Sequence, residues 1–457
     1  MRELREHCGV VGVAAEEATF ISLEALKSLQ HRGQESAGLA FLHRGRILLR
    51  KGLGLVEEVI NSKSLGSSEL SIGHVRYSTT GDSTLAEVQP MVIGGLSLAF
   101  NGTITNFREI GSSLGLTQKG IRTDTEVMLE LLSRLLREGN SFEEAVARFM
   151  EVADGGYAVV LMTSRGDLIA FRDPSGFRPL VMGKVNGGFI FASEDAAIRH
   201  VGGSVERDVR PGEVIIVRGG EVKSLLLRKR NPAMCSFEYI YFARPDSTID
   251  GLSVYEARFR LGVELAKSHP ARADVVIPVP DSGRIMALGF SSESGIPLVE
   301  GLYRNPLVKR TFIAPSQEAR LNLLFEKFSV IEKAVKGRSV VLVDDSIVRG
   351  NTMRNLVNSI RDAGANAVHI RVGSPMIKYP CYMGIDIPTR EELIANRGNE
   401  GVIAKELGAD SVEYLGVEEM VKAIGRQDLC AACFTGIYPL RKRYKISDLE
   451  QVFKRGG

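Results

Sequence analysis

The apolar positions of this 457-residue chain fall into two regimes. In the first half they come in short runs broken by glycine-rich turns. That pattern predicts strands over residues 8–14, 39–50, 96–100, 157–163, 168–173, 188–193 and 213–218. Two longer stretches, 20–29 and 124–138, predict helices between them. In the second half strand and helix alternate, with strands over 274–278, 339–343 and 367–372 and helices over 285–294 and 352–363. Such alternation predicts a parallel, doubly wound sheet. The chain is too long for one ordinary core, so two or three domains are expected. The seam is expected within 227–235, a basic stretch containing Asn-Pro.

The segment 340–352, VVLVDDSIVRGNT, carries the most chemistry. Its apolar run reads as a strand covered on both faces. Asp344 and Asp345 then stand at the carboxyl end of that strand, where open α/β sheets bind ligands. Ser346, Arg349, Gly350, Asn351 and Thr352 follow, supplying hydroxyls, backbone N–H groups and a tight turn. The predicted helix would turn its positive end toward an anion held there. Acids for sugar hydroxyls beside a phosphate cradle point to a phosphorylated sugar. Paired aspartates also cap helices, so the residues alone leave both readings open.

This segment resembles, over all 13 residues, the phosphoribosylpyrophosphate (PRPP) signature of type I phosphoribosyltransferases. The resemblance implies that Asp344 and Asp345 hold the ribose 2- and 3-hydroxyls and that Ser346 to Thr352 bind the 5-phosphate. Val279-Pro280-Asp281-Ser282-Gly283-Arg284 follows an apolar strand and should reach the same edge, where its small-residue turn can offer N–H groups to pyrophosphate. By resemblance Ser282 joins Asp344 and Asp345 around Mg²⁺, a hard-oxygen task suited to that ion. Tyr303-Arg304-Asn305 and Lys309-Arg310-Thr311-Phe312-Ile313-Ala314-Pro315 resemble the loop that folds over bound PRPP, which implies substrate contact for Lys309. Such a lid would exclude water from a carbocation-like ribose C1. Without that likeness, Lys309-Arg310 reads as a solvated charge pair.

In the first half, Cys8 opens the segment CGVVGVA. Four blocks follow: His31-Arg32-Gly33-Gln34-Glu35-Ser36-Ala37-Gly38, Gly73-His74-Val75-Arg76-Tyr77-Ser78-Thr79, Phe100-Asn101-Gly102-Thr103-Ile104 and Arg122-Thr123-Asp124-Thr125-Glu126. In this order they resemble the class II glutamine amidotransferase domain, an N-terminal-nucleophile hydrolase, over residues 8–218. The fold implied is an αββα sandwich at 8–230 followed by a doubly wound phosphoribosyltransferase domain at 231–457. A thiol of ordinary pKa is mostly protonated at neutral pH and needs a base. Removal of a propeptide, residues 1–7, would make the Cys8 α-amine that base. The resemblance further implies that the Asn101 amide and the Gly102 N–H form the oxyanion hole, that Arg76 pairs with the glutamine α-carboxylate, and that Asp124 holds its α-ammonium. Surface ion pairing is the alternative for Arg76 or Asp124 taken alone. His31 and His74 are assigned structural hydrogen bonds, outside the catalytic set.

Lys and Arg number 58 against 55 Asp and Glu, a net charge of +3, so nothing global points to nucleic acid or a membrane. The basic clusters 228–230 and 441–443 read as solvated surface. No apolar run reaches transmembrane length, and the N-terminus lacks a signal core, so a cytoplasmic protein is expected. An odd set of five cysteines favours reactive or metal-bound thiols over disulfides. Cys430-Ala431-Ala432-Cys433 alone fits either a redox pair or half a metal site. The stretches 234–247, 380–386 and 430–436 resemble motifs of the glutamine PRPP amidotransferase family. That likeness implies a [4Fe–4S] cluster on Cys235, Cys381, Cys430 and Cys433, with four-thiolate zinc as the rival. The run 425–430 is shorter than in relatives with an extra cysteine there. The family also implies 5-phosphoribosylamine synthesis for purine biosynthesis, a homotetramer and feedback inhibition by purine nucleotides. The alternative is a PRPP- or nucleotide-binding regulator with an inactive glutaminase domain.

Overall fold

The computed structural model describes residues 8–77, 84–116, 123–305, 328–387 and 389–442. Residues 1–7, Ser78, Thr79, and the 309–315 motif with Lys309 lie outside the described residues.

The first half builds two antiparallel sheets. One has seven strands in the order Ser204–Asp208, Val181–Val185, Gly188–Ala192, Gly9–Ala14, Leu70–Arg76, Ser36–His43, Arg46–Leu53. The other has six: Glu221–Leu226, Glu213–Arg218, Leu168–Arg172, Gly155–Thr163, Leu96–Ile104, Met91–Ile93. Side chains alternate between faces with period two, which decides the layering. Val10 and Ile72 of the first sheet meet Ala99, Val160 and Leu168 of the second in one buried cluster. Val11 and Val13 point the other way, against Leu23 and Leu26 of helix Ala18–Ser28. Leu98 and Phe100 likewise pack outward on helices Asp124–Arg137 and Phe142–Val152. The result is the αββα sandwich.

The second half centres on four parallel strands in the order Val275–Pro278, Ser339–Asp344, Ala367–Val372, Ser411–Tyr414. Val341 and Val343 join one buried cluster with helices Val254–Ser268, Arg284–Ser294 and Val417–Ile424. Val340 and Leu342 join the other with helices Asn351–Asp362 and Glu400–Leu407. Both faces are covered, as a parallel sheet requires. The seam region behaves as a hinge of pairing partners: the second sandwich sheet ends at Leu226, whereas Met234–Cys235 pairs in parallel with Leu429–Cys430.

Three expectations change. The run 39–50 is a hairpin of two strands, because Arg44 and Gly45 both take positive φ (50° and 73°), as a type I′ turn requires. The strand begun at Leu96 continues to Ile104 and so carries Asn101 and Gly102 within it. The basic clusters are not simply solvated: Arg228 pairs with Glu151, Arg230 with Asp154 and Lys442 with Glu109. The acids that meet them lie on the same side of the sandwich, about helices Phe107–Ser113 and Phe142–Val152.

Candidate active sites

Period two brings the first site together. Val10, Ile72 and Ala99 face the sandwich interior, so Cys8, His74, Arg76 and Asn101 share their parity and fall at one end of the gap between the sheets. Gly9 pairs with Val75, setting Cys8 beside Arg76. His74 Nε2 donates to the Phe100 carbonyl across the gap at 3.2 Å, tying the Arg76 strand to the Asn101 strand.

The Cys8 thiol is half-buried and donates to the Tyr77 carbonyl at 4.0 Å. Burial pushes it up to about 11, against the lowering effect of Arg76 and with Asp124 adding to the rise. It is therefore protonated at neutral pH and needs a base. His74 is a poor one, since burial and Arg76 hold it near 3. Asn101 is wholly buried, and among the described residues neither its Oδ1 nor its Nδ2 has a hydrogen-bond partner. A buried amide left unpaired on both sides calls for an explanation, and an absent ligand supplies one. Arg76 Nη2 donates to Glu87 at 3.3 Å, while its buried Nη1 is unpartnered among the described residues. Asp124 begins helix Asp124–Arg137; its Oδ2 accepts from the Ile104 N–H at 3.1 Å and its Oδ1 from the Thr125 N–H at 2.9 Å. Burial raises its carboxyl to about 6, with those N–H groups and Arg76 opposing. His31 Nε2 lies 2.7 Å from Glu194 Oε1.

Sequence reasoning missed the support beneath this site. Arg32 donates from Nε to the Cys8 carbonyl at 3.3 Å, from Nη1 to Glu194 at 2.6 Å and from Nη2 to Glu238 at 2.7 Å. Burial alone would raise the Glu194 carboxyl, but His31, Arg32 and Ser247 outweigh it and hold it well below the usual range. The available signal was the basic pair His31-Arg32 opening a motif otherwise made of small and polar residues.

The second site lies at the carboxyl ends of the parallel strands. Asp344 ends its strand, and the Asp345 N–H donates to Asp344 Oδ1 at 2.9 Å. Asp345 is buried and accepts from Ser346 Oγ at 2.6 Å. Burial raises its carboxyl, opposed by hydrogen bonds from Ser282 and Ser346 and by Arg258. Ser282 and Asp345 thus meet although 63 positions separate them. Gly283 makes that approach possible: a methyl there would stand 2.6 Å from the Val343 carbonyl oxygen. Helix Asn351–Asp362 begins after Gly350 without a side-chain cap, so capping leaves its first N–H groups, those of Asn351 and Thr352 included, to other partners. Arg349 grips Glu392 through Nε and Nη2 at 2.9 and 2.8 Å, while its buried Nη1 is unpartnered among the described residues.

The four remaining cysteines converge at the seam. Cys235 pairs in register with Cys430, and the Lys378 and Tyr379 N–H groups donate to the Cys433 carbonyl at 3.0 Å each. Burial raises the Cys433 thiol well above its ordinary value, and Cys430, Cys381 and Cys235 add to the rise.

Residues 74–200 match the family model described as a glutamine amidotransferase domain. With the PRPP-type strand end in the second half, the fold and sites define a glutamine amidotransferase joined to a phosphoribosyltransferase. The chain is 50% identical to the amidophosphoribosyltransferase of Pyrococcus horikoshii, over 95% of this chain and 97% of that one. It is 44% identical to that of Methanocaldococcus jannaschii, over 96% and 98%. The solved glutamine PRPP amidotransferase of B. subtilis, complexed with ADP and GMP, superposes with a TM-score of 0.88 at 40% identity, covering 96% of this chain and 98% of that one. The chain belongs to the amidophosphoribosyltransferase family, enzymes of purine biosynthesis.

Proposed function

We propose that Cys8 attacks the side-chain amide of glutamine and that the ammonia released attacks C1 of PRPP, giving 5-phosphoribosylamine, glutamate and pyrophosphate. The observation that carries the glutaminase assignment is Asn101, a buried amide with neither polar atom partnered among the described residues. Its Nδ2, with the Gly102 N–H, would receive the oxyanion of the tetrahedral intermediate. Arg76 Nη1 is the spare donor for the substrate α-carboxylate, and Asp124 is the acid for its α-ammonium.

The base is the α-amine that Cys8 gains when residues 1–7 are removed. A thiol raised to about 11 and a histidine held near 3 favour an amine over an imidazole for this task. The enzyme divides into a glutaminase domain at 8–230 and a transferase domain at 231–457.

In the transferase half, Asp344 and Asp345 take the ribose hydroxyls, while Ser346, Arg349, Gly350, Asn351 and Thr352 take the 5-phosphate, with Lys309 over the substrate. The donor set of Asp344, Asp345 and Ser282 is all oxygen and fits Mg²⁺. Mg²⁺ bound there would neutralise the leaving pyrophosphate. Cys235, Cys381, Cys430 and Cys433 fit a [4Fe–4S] cluster. The other three raise the Cys433 thiol, and among the described residues no group of three His, Cys, Asp or Glu side chains is placed to hold a single metal ion. Purine nucleotides are the expected feedback inhibitors, in keeping with the ADP and GMP of the B. subtilis relative. A cytoplasmic homotetramer completes the reading.

The test is PRPP-dependent release of glutamate and pyrophosphate with glutamine or ammonia as nitrogen source. Cys8→Ala should abolish the glutamine reaction and spare the ammonia one. Glutamine-dependent synthesis by that variant would overturn the nucleophile assignment.

A further inference from the structure

We infer that the loop 381–384 of the second half is a positioning element of the glutaminase site, pressed against Gly102 from its carbonyl side, one Cα away from the N–H assigned to the oxyanion hole. This rests on the assignment of Gly102 as an oxyanion donor.

Two backbones meet with no side chain between them. A methyl built on Gly384 would lie 2.9 Å from the Gly102 carbonyl carbon, 3.0 Å from its Cα and 3.3 Å from its oxygen. On its other flank Gly102 is equally confined, since a methyl there would stand 2.0 Å from the Gly156 carbonyl oxygen. Both residues take positive φ, 140° at Gly102 and 100° at Gly384. Gly102 is therefore held between its neighbouring strand and a loop nearly 300 positions downstream. Only glycine permits that approach at both places.

The loop is itself pinned from the glutaminase side. Arg178, wholly buried, donates from Nε and Nη2 to the Met383 carbonyl at 3.1 and 2.5 Å. Its Nη1 reaches Glu238 Oε1 at 3.5 Å, the same carboxylate that receives Arg32. Arg32 in turn holds the Cys8 carbonyl. Nucleophile and oxyanion donor are thus referenced to one seam, and Met383-Gly384 closes the frame. An oxyanion donor works only within a few tenths of an ångström of the developing charge. Displacing Gly384 should misplace the Gly102 N–H without touching the PRPP site.

The test uses the full-length enzyme. Gly384→Ala should lower glutamine-dependent kcat about 100-fold, the effect of losing one oxyanion donor. Ammonia-dependent synthesis should stay within about twofold of the parent. Alkylation of Cys8 by a diazoketone analogue of glutamine should slow in parallel, a readout that general loosening does not select. Arg178→Lys, which keeps the charge but loses the fork on Met383, should show the same split. Unchanged glutamine turnover and alkylation in either variant that keeps ammonia-dependent synthesis would overturn the inference. If both variants also lose the ammonia reaction, the parent enzyme decides. Hydrogen exchange over residues 378–387 should slow when the analogue occupies Cys8, and unchanged exchange would overturn the inference. Failure of the underlying assignment looks different: Asn101→Ala would then keep its glutamine turnover, or the parent Cys8 would resist the analogue.

Discussion

Arg32 Nη2 lies 2.7 and 2.9 Å from the two carboxylate oxygens of Glu238, joining the glutaminase motif to the segment beyond the seam. Both side chains are shut off from solvent, as is Arg178, the second cation on Glu238. Removing one partner of such a pair leaves an uncompensated buried charge, typically at a cost of about 3–5 kcal/mol. Glu238→Ala should therefore lower the denaturant midpoint sharply. An Arg32→Met, Glu238→Leu double variant should recover part of the loss. A single variant unfolding at the parent midpoint would show that the pair contributes nothing.

Under the proposed function, the Asp124 carboxyl, raised to about 6 by burial, would set a pH limit on glutamine use. The sign follows from its role: the ammonium of glutamine needs the carboxylate, which protonation removes. kcat/KM for glutamine reports the free enzyme, so it should fall about tenfold per unit as pH drops below about 6. Asp124→Asn should start low and lose that inflection. A parent profile flat through pH 5 would remove Asp124 from substrate binding.

Under the proposed function, Asp345 and Ser282 would serve the step that both nitrogen sources share. Asp345→Ala should therefore depress glutamine- and ammonia-dependent synthesis by the same factor, leaving Cys8 alkylation intact. Ser282 bonds Asp345 and is assigned to the same proposed oxygen donor set. Its loss should raise the Mg²⁺ concentration needed for half-maximal rate about tenfold or more. A selective effect on glutamine turnover would contradict both roles.

Local chemistry was the legible part of this molecule. Asp344 and Asp345 follow an unmistakable apolar strand, and Cys8, Arg76 and Asn101 sit in spaced motifs. Helix Phe142–Val152 carries a sequence signal that went unread, the reciprocal Ser141–Glu144 cap. Edge strand Ser204–Asp208 does not, because it is polar and mostly exposed and so lacks an apolar alternation. The frame around the site was hidden for a different reason. Arg32 and Glu238 are 206 positions apart, and Gly102 touches Gly384 through backbone alone. No period or spacing encodes such contacts; they exist only once two separately patterned halves dock.

Burial pushes the Cys235 thiol to about 12, with Cys381 adding to the rise and Arg178 opposing it. Cys430 and Cys433 are raised further by burial and by the neighbouring thiols. Four buried thiolates are unfavourable without compensating positive charge, which a metal core would supply while binding only the folded chain. Protein purified without oxygen should carry about four irons and four sulfides per chain. Removing them should lower the unfolding midpoint, because Cys235 and Cys381 lie far from the CxxC pair in the chain and the core would tie them to it. Cys381→Ser should lose iron and shift that midpoint together. Zinc in place of iron and sulfide would replace the cluster with a single-ion site, and metal-free protein of unchanged midpoint would leave the four cysteines as packing alone.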